Sequence, residues 1–199
     1  MASLLSSCLG RSKDTSSPFH NGHVPPTGHR PIDEVNPAKC LFCSVTSDRF
    51  NIVLEDDKYI CFRDRSPAAQ VHLLVIPRTH MANVQSLTQR DSVLVGEMQV
   101  LGNKALDIVA QQAHDTSSSK IAVAEEQPRF GFHIPPFRSV DHLHLHCLQL
   151  PFKSTLKALK YRVVKPSSAE YCKGWSWFAE WSQTCALLDA GRKVEVKSC

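Results

Sequence analysis

The run His142-Leu143-His144-Leu145-His146 sets three imidazoles at strict period two. In a β-strand successive side chains point to opposite faces, so the histidines share one face and the two leucines the other. The leucines are expected to bury against a core while the histidines line a surface or cleft. Three chemistries fit such a row: a metal site built on strand histidines, a set of hydrogen-bonded core histidines, or a nucleophile with helpers. Core histidines would need three separate partners on one strand face, a costly arrangement. A nucleophile makes chemical sense for transfer at phosphorus. An imidazole with an unperturbed pKa of about 6.5 is mostly neutral near pH 7. It can attack in line and hold a covalent nucleotidyl intermediate, while its neighbours stabilise the equatorial oxygens and protonate the leaving group.

A second chemical pair, Cys40-Leu41-Phe42-Cys43, has the spacing of half a tetrahedral zinc site. The chain has eight cysteines and no charged start with a long apolar core at its N-terminus, so a reduced, cytoplasmic or also nuclear compartment is expected. There the pair reads as metal-binding or redox before it reads as a disulfide. The net charge of +4 suits a phosphate-bearing ligand but is too weak for a nucleic-acid platform. No apolar run reaches the roughly 18–20 residues of a membrane span.

The elements that must hold these residues are legible in part. Residues 1–36 carry Ser, Pro, Gly and scattered His without apolar periodicity and read as a disordered arm. Residues 51–58 and 59–63 read as two strands around an acidic turn, and 71–76 as a strand stopped by Pro77. Ser86 or Thr88 caps a helix to about Ala113, with Leu94, Met98, Leu101, Ala105 and Ile108 as its apolar stripe. Strands are expected over 142–150 and, with weaker pattern, over 121–124, 129–133 and 157–164. Phe178, Trp181, Cys185 and Leu188 lie three to four apart and predict a terminal amphipathic helix, set in an extension over 166–199 that also carries Trp175 and Trp177. Docking on the body and an aromatic surface for a partner are both open for that segment.

The His-φ-His-φ-His-φ-φ run over 142–148 is the motif of the histidine-triad (HIT) superfamily of nucleotide hydrolases and transferases. Asp64-Arg-Ser-Pro-Ala-Ala-Gln-Val-His72 followed by Leu-Leu-Val-Ile-Pro-Arg-Thr-His80 resembles the same family's first-half signature. Gly131-Phe-His133-Ile-Pro-Pro before the triad is similar to the branch that joins Hint3-like proteins, plant adenylylsulfate-splitting proteins and aprataxin. Aprataxin's C-terminal zinc finger is not matched. The resemblance covers roughly residues 38–160 and implies an α+β HIT-like fold over 37–165: a mostly antiparallel sheet of about five strands, one long helix, and a C-terminal helix nearby.

Carried over by position, the resemblance makes His144 the nucleophile, His146 the group assisting the leaving group, and His72 a member of the phosphate-side network. It puts Asp64 on the ribose hydroxyls and Ser139 on the phosphate or leaving group, with Phe42, Ile60 and Phe62 as candidates for apolar packing on the base. His133 either touches the leaving group or orients the Pro135-Pro136 loop. Cys40, Cys43, His80 and His142 match a structural zinc site, and no organic cofactor is implied. The implied activity is hydrolysis of AMP-X to AMP, with X an amine or sulfate, by a homodimer acting on small purine nucleotides. A nucleotide-binding scaffold with little catalysis is the alternative from another class. The full set of His72, His142, His144 and His146 argues against it. DNA deadenylation would want a basic surface and the missing finger.

Overall fold

A computed structural model describes residues 39–116 and 127–199. The arm expected over 1–36 and the strand expected over 121–124 lie outside the described residues. In chain order the elements are β1 (Ile52–Glu55), β2 (Tyr59–Arg63), β3 (Ala69–Pro77), α1 (Ser92–Thr116), β4 (Arg129–His133), β5 (Leu145–Phe152), α2 (Thr155–Lys160), β6 (Phe178–Glu180) and α3 (Trp181–Asp189). The strands form one sheet in the order β1-β2-β3-β5-β4-β6, and every neighbouring pair is antiparallel.

The alternation in β3 and β5 decides what each face carries. Leu73 and Val75 of β3 pair with Cys147 and Leu145 of β5, and all four bury against α1. The opposite face carries His72 and Leu74, paired with Leu148 and His146. The leucines of the histidine run are therefore core residues, as their period requires: Leu143 is 1% exposed and Leu145 is fully buried.

α1 lies on the leucine face, its stripe rotated slightly from the expected one. Val95, Met98, Leu101, Ala105 and Val109 are buried, while Leu94 and Ile108 sit at the stripe's edges, half-buried. Gly102 makes the close approach to β5 feasible, because a Cβ there would lie 2.6 Å from the Cys147 sulfur. The helix starts later than expected: Thr88 donates through both its backbone N–H and its hydroxyl to Asp91, closing a 3-10 turn over Gln89–Asp91 before α1 begins.

Three expectations are corrected. The histidine strand enters the ladder only at Leu145, since Leu143 N–H is bonded to the Met81 carbonyl beyond the end of β3. Residues 155–160, within the strand expected over 157–164, form helix α2 instead, capped by the Ser154 hydroxyl accepting from Lys157 N–H and built from Leu, Lys and Ala, all good helix formers. Phe178 belongs to a sixth strand, β6, which pairs with β4, and the terminal helix begins only at Trp181. α3 then docks on α1: Trp181 donates its indole N–H to the Val95 carbonyl, and Ser92 donates to Asp189.

Candidate functional site: a thiol–imidazole cluster and a chain of neutral histidines

Two groups of side chains meet around His142 and His144. The first begins at the 3-10 turn Leu41–Ser44. That turn brings Cys43 back over Cys40 through the Cys43 N–H to Cys40 carbonyl bond of 3.2 Å. His80 approaches from the loop after β3 and His142 from the segment before β5. The Cys43 sulfur is 3.2 Å from His80 Nδ1 and 3.6 Å from His142 Nδ1, and the Cys40 sulfur is 3.5 Å from His142 Nδ1. All four donor atoms lie within 4.8 Å of one another.

Two further observations bear on what this group can hold. His142 Nε2 lies 2.9 Å from the Pro77 carbonyl, so Nε2 carries the proton and donates. The Nδ1 lone pair is then turned toward the sulfurs, as the outer hydrogen bond of a metal-bound histidine would require. Burial, aided by the neighbouring Cys40, pushes the Cys43 thiol up to about 11. His80 Nε2 is buried with no hydrogen-bond partner among the described residues. Two thiols and two imidazoles in this arrangement fit a tetrahedral divalent cation of the zinc type, which would replace the thiol protons and leave no open coordination position.

The second group is the histidine face itself. His142, His144, His146 and His72 are 0%, 7%, 5% and 3% exposed, so the face is roofed rather than open. Phe42 covers His144 edge-on at 5.5 Å, and Tyr161 stands 5.3 Å from His146 and 5.6 Å from His72. The partners that core histidines need are supplied among the described residues except at His144 Nε2. His144 Nδ1 is 2.6 Å from the His142 carbonyl and donates to it, which leaves the Nε2 lone pair free.

His72 and His146, joined by His133 from β4, form a directional chain whose two ends set every tautomer. Ala68 N–H donates to His72 Nδ1 at 3.2 Å, so the proton of His72 is on Nε2 and points at His146 Nδ1, 2.9 Å away. The proton of His146 is then on Nε2 and points at His133 Nδ1, 3.0 Å away. His133 in turn donates from Nε2 to the Lys160 carbonyl at 3.0 Å. The chain works only with neutral rings, and burial enforces this. It pulls His72 and His133 down to about 4, lowers His144, and holds His146 well below its usual value.

The sequence-derived residues fall around this chain unevenly. Asp64 opens the turn before β3. One of its oxygens accepts from Ser66 N–H at 2.7 Å and the other lies 3.6 Å from His72 Nδ1. Phe42, Ile60 and Phe62 are brought together with Phe50 and Leu74 into one buried aromatic–aliphatic cluster beside His144. Ser139 is exposed on the loop after β4. Its neighbour Arg138, which sequence reasoning passed over, lines a small recess with His133, His142 and His144. Its guanidinium is held in a two-point bond to Asp141, at 2.9 and 2.7 Å, and its charge contributes to the lowering of His144. His133, left undecided by the sequence, is in the chain. The signal available for both was proximity in sequence to the triad, which says nothing about direction.

This arrangement can supply a neutral imidazole nucleophile with a free Nε2, a cationic side chain beside it, and a hydrogen-bonded proton path next to both. Residues 39–161 match the family described as scavenger mRNA decapping enzyme C-term binding. The chain is 41% identical over 131 residues to the bifunctional adenosine 5'-phosphosulfate phosphorylase/adenylylsulfatase HINT4 of Arabidopsis thaliana, a match covering 64% of this chain and 81% of that protein. It is 38% identical over 120 residues to the adenosine 5'-monophosphoramidase HINT3 of Danio rerio, covering 59% and 68% respectively. A solved HIT family hydrolase from Clostridium thermocellum is 28% identical, with a TM-score of 0.45 over 58% of this chain and 94% of that one. The chain belongs to the decapping-enzyme C-terminal family and thereby to the histidine-triad proteins.

Proposed function

We propose that the protein hydrolyses the α-phosphate linkage of adenosine 5'-monophosphate derivatives, AMP-X to AMP, with an amine or sulfate as X. The observation that carries this reading is the state of His144, a buried neutral imidazole whose Nδ1–H is tied to the His142 carbonyl and whose Nε2 lone pair is free. In the first step Nε2 attacks phosphorus and the P–X bond breaks with its electron pair going to X, an amine taking its proton through His146 Nε2 and sulfate leaving as the dianion. In the second a water attacks phosphorus, its proton returning to His146 after an amine or passing to solvent after sulfate, the P–N bond to His144 breaks, and AMP leaves. His146 and His133 hold the protons nearest to X. His146 reaches a leaving group by exchanging His133 for it at Nε2, because its Nδ1 is already engaged by His72.

The binding roles belong to the same proposal. Asp64 has one carboxylate oxygen not used by its turn, available to ribose hydroxyls, and Ser139, exposed on the loop after β4, is available to the phosphate or leaving group. Phe42, with Ile60 and Phe62 behind it, offers the base an apolar wall. Arg138 places positive charge beside the phosphate. Cys40, Cys43, His80 and His142 would hold a zinc ion that ties the N-terminal turn to the catalytic segment and supplies structural rigidity. A homodimer belongs to the same proposal. Val93 and Val100, exposed two turns apart on α1, are the apolar surface it would cover.

The relatives named as an adenylylsulfatase and a monophosphoramidase support this substrate class. The test is turnover of adenosine 5'-phosphoramidate and adenosine 5'-phosphosulfate by the wild type and by His144→Ala. The variant should lose about 10⁴-fold or more in kcat, the scale seen when a covalent nucleophile is removed, while still binding AMP. A folded wild type that leaves both substrates intact would overturn the proposal.

A further inference from the structure

The short helix α2 presents a bare apolar face that the chemistry above does not use. Leu156 and Leu159 are 74% and 55% exposed, three residues apart and so on one side of the helix. The opposite side is anchored. Lys157 and Ala158 are half-buried, and the Lys157 ammonium donates to the Pro67 carbonyl at 2.6 Å. Tyr161, at the C-cap, is buried among Ala68, Leu148 and Phe178. A helix held this way cannot roll its leucines into the core, so their apolar area stays in water at a cost that covering them would recover.

The charges around this face have one sign. Residues 142–169 contain no Asp or Glu. Lys153, Lys160, Arg162 and Lys165 are exposed before, within and after the helix, and none of the four forms an ion pair among the described residues. Lys160 stands four residues from Leu156 and shares its side of the helix. At the same end the Lys160 carbonyl accepts from the Trp177 indole N–H at 3.1 Å, and Trp175, 58% exposed, meets Trp177 edge-on at 5.7 Å. An exposed indole beside leucines and lysines suits the boundary between water and hydrocarbon.

A covering surface must therefore be apolar to receive the leucines and anionic to receive the cations. Leucine gives a nucleic-acid base no ring to stack on. Lysine is a point charge on a flexible stem, suited to anions without fixed geometry. No helix among the described residues is long and apolar enough to cross a membrane, so a bilayer that receives this face would carry the chain on its surface. We propose that α2 and its flanks form a docking surface for an anionic lipid bilayer. Leu156 and Leu159 enter the boundary between headgroups and acyl chains, and Lys153, Lys160, Arg162 and Lys165 lie among the headgroups. The docking is independent of the hydrolase reading, since it uses none of the reacting groups.

The test is co-flotation of the full chain with two kinds of vesicle, phosphatidylcholine alone and phosphatidylcholine with about 30% phosphatidylserine. We expect the wild type to bind the anionic vesicles at least about tenfold more tightly than the neutral ones, and to be released as salt rises toward about 1 M. Leu156→Ser/Leu159→Ser and Lys153→Gln/Lys160→Gln should each weaken that binding about tenfold or more. All four side chains are exposed, so both double variants should keep the unfolding midpoint of the wild type. Failure of the wild type to float with either vesicle, equal flotation with both, or full retention of binding by either folded double variant would overturn the proposal. A wild type that ignores vesicles but forms a dimer lost in the leucine variant would give the face to a second copy of the chain and overturn it as well. So would binding of a single-stranded oligonucleotide, in place of vesicles, that the lysine variant loses and the leucine variant keeps.

Discussion

The direction of the histidine chain can be tested at His133 with two replacements of nearly equal shape. Asparagine places a carbonyl oxygen near the position of the ring Nδ1 and can still accept from His146 Nε2–H. Leucine has the same branching and no acceptor. Both lose the bond to the Lys160 carbonyl, which keeps its other donor, the Trp177 indole. Both also lose the ring packing on Tyr161 and Phe178, at 4.9 and 5.3 Å, to the same extent. The difference between the variants is thus the fate of one buried donor. Leaving it unpaired costs about 1–3 kcal/mol. Leucine's greater apolar area recovers about 1 kcal/mol at a half-buried position. Burial alone makes the leucine variant the more stable, whereas the chain makes the asparagine variant more stable by about 1 kcal/mol. Urea unfolding followed by tryptophan emission measures the difference, and ¹⁵N shifts of the His146 ring report whether its proton stays on Nε2. A leucine variant as stable as the asparagine variant, with the His146 shifts unchanged in both, would refute the assignment of donors along the chain.

Two other outcomes follow from the titrating groups and the thiols. His72 and His133 are depressed from about 6.5 in the unfolded chain to about 4 in the folded protein. The unfolded state therefore takes up protons first as the pH falls. Their contribution is complete above about pH 6.5 and is lost progressively toward pH 4, at about 2 kcal/mol for each histidine between pH 7 and pH 5; unfolding free energies that stay flat over that range would contradict the burial of neutral rings. For the thiols, Cys43→Ser should lower bound zinc well below the one ion per chain expected of the wild type by elemental analysis. It should also abolish the zinc-dependent rise in unfolding free energy, about 2.7 kcal/mol at a hundredfold excess over Kd. Identical metal content in the two proteins would remove Cys43 from the ligand set.

What the sequence disclosed and withheld has a common cause. Period two in 142–146 and the apolar steps in α1 are properties of a single element, so the burial of Leu143, Leu145, Met98 and Ala105 could be read directly. The α+β arrangement followed from the same signals with the family resemblance. Features that depend on a distant partner were not legible. The three-residue β6 is a strand because β4 offers it an edge, and its Phe178 also satisfied a helical spacing with Trp181 and Cys185. The same contact explains Gly131, which faces His146 across the ladder: a Cβ there would collide with the Ala179 carbonyl and come within 2.5 Å of the Phe178 ring. The roofing of His144 by Phe42 joins residues more than a hundred positions apart, and Tyr161 covers His72 from a different element. No local pattern separates an exposed catalytic strand from a covered one. His133 and Arg138 were hidden for the same reason, since the distances that matter run across strands and loops.

The geometry also joins the two groups of side chains through a single residue. The ring of His142 faces the thiols with Nδ1 and anchors Nε2 on Pro77, while its carbonyl receives the Nδ1 proton of His144. The orientation of that carbonyl depends on the backbone of His142, and the backbone is held by what the ring binds. A cation in the thiol–imidazole cluster would act on the nucleophile without touching it, by keeping the carbonyl where it fixes the tautomer with a free Nε2. Removing the His142 ring removes this restraint but leaves the carbonyl itself. The physical distinction is between a nucleophile lost and a nucleophile misdirected. In the second case His144 can place its proton on Nε2, where the imidazole is still neutral but its lone pair is turned toward the His142 backbone and away from phosphorus. Three histidines at period two are therefore three different devices. One faces the thiols, one carries the free lone pair of the proposed nucleophile, and one belongs to a hydrogen-bonded chain whose direction is set by a backbone N–H at one end and a backbone carbonyl at the other.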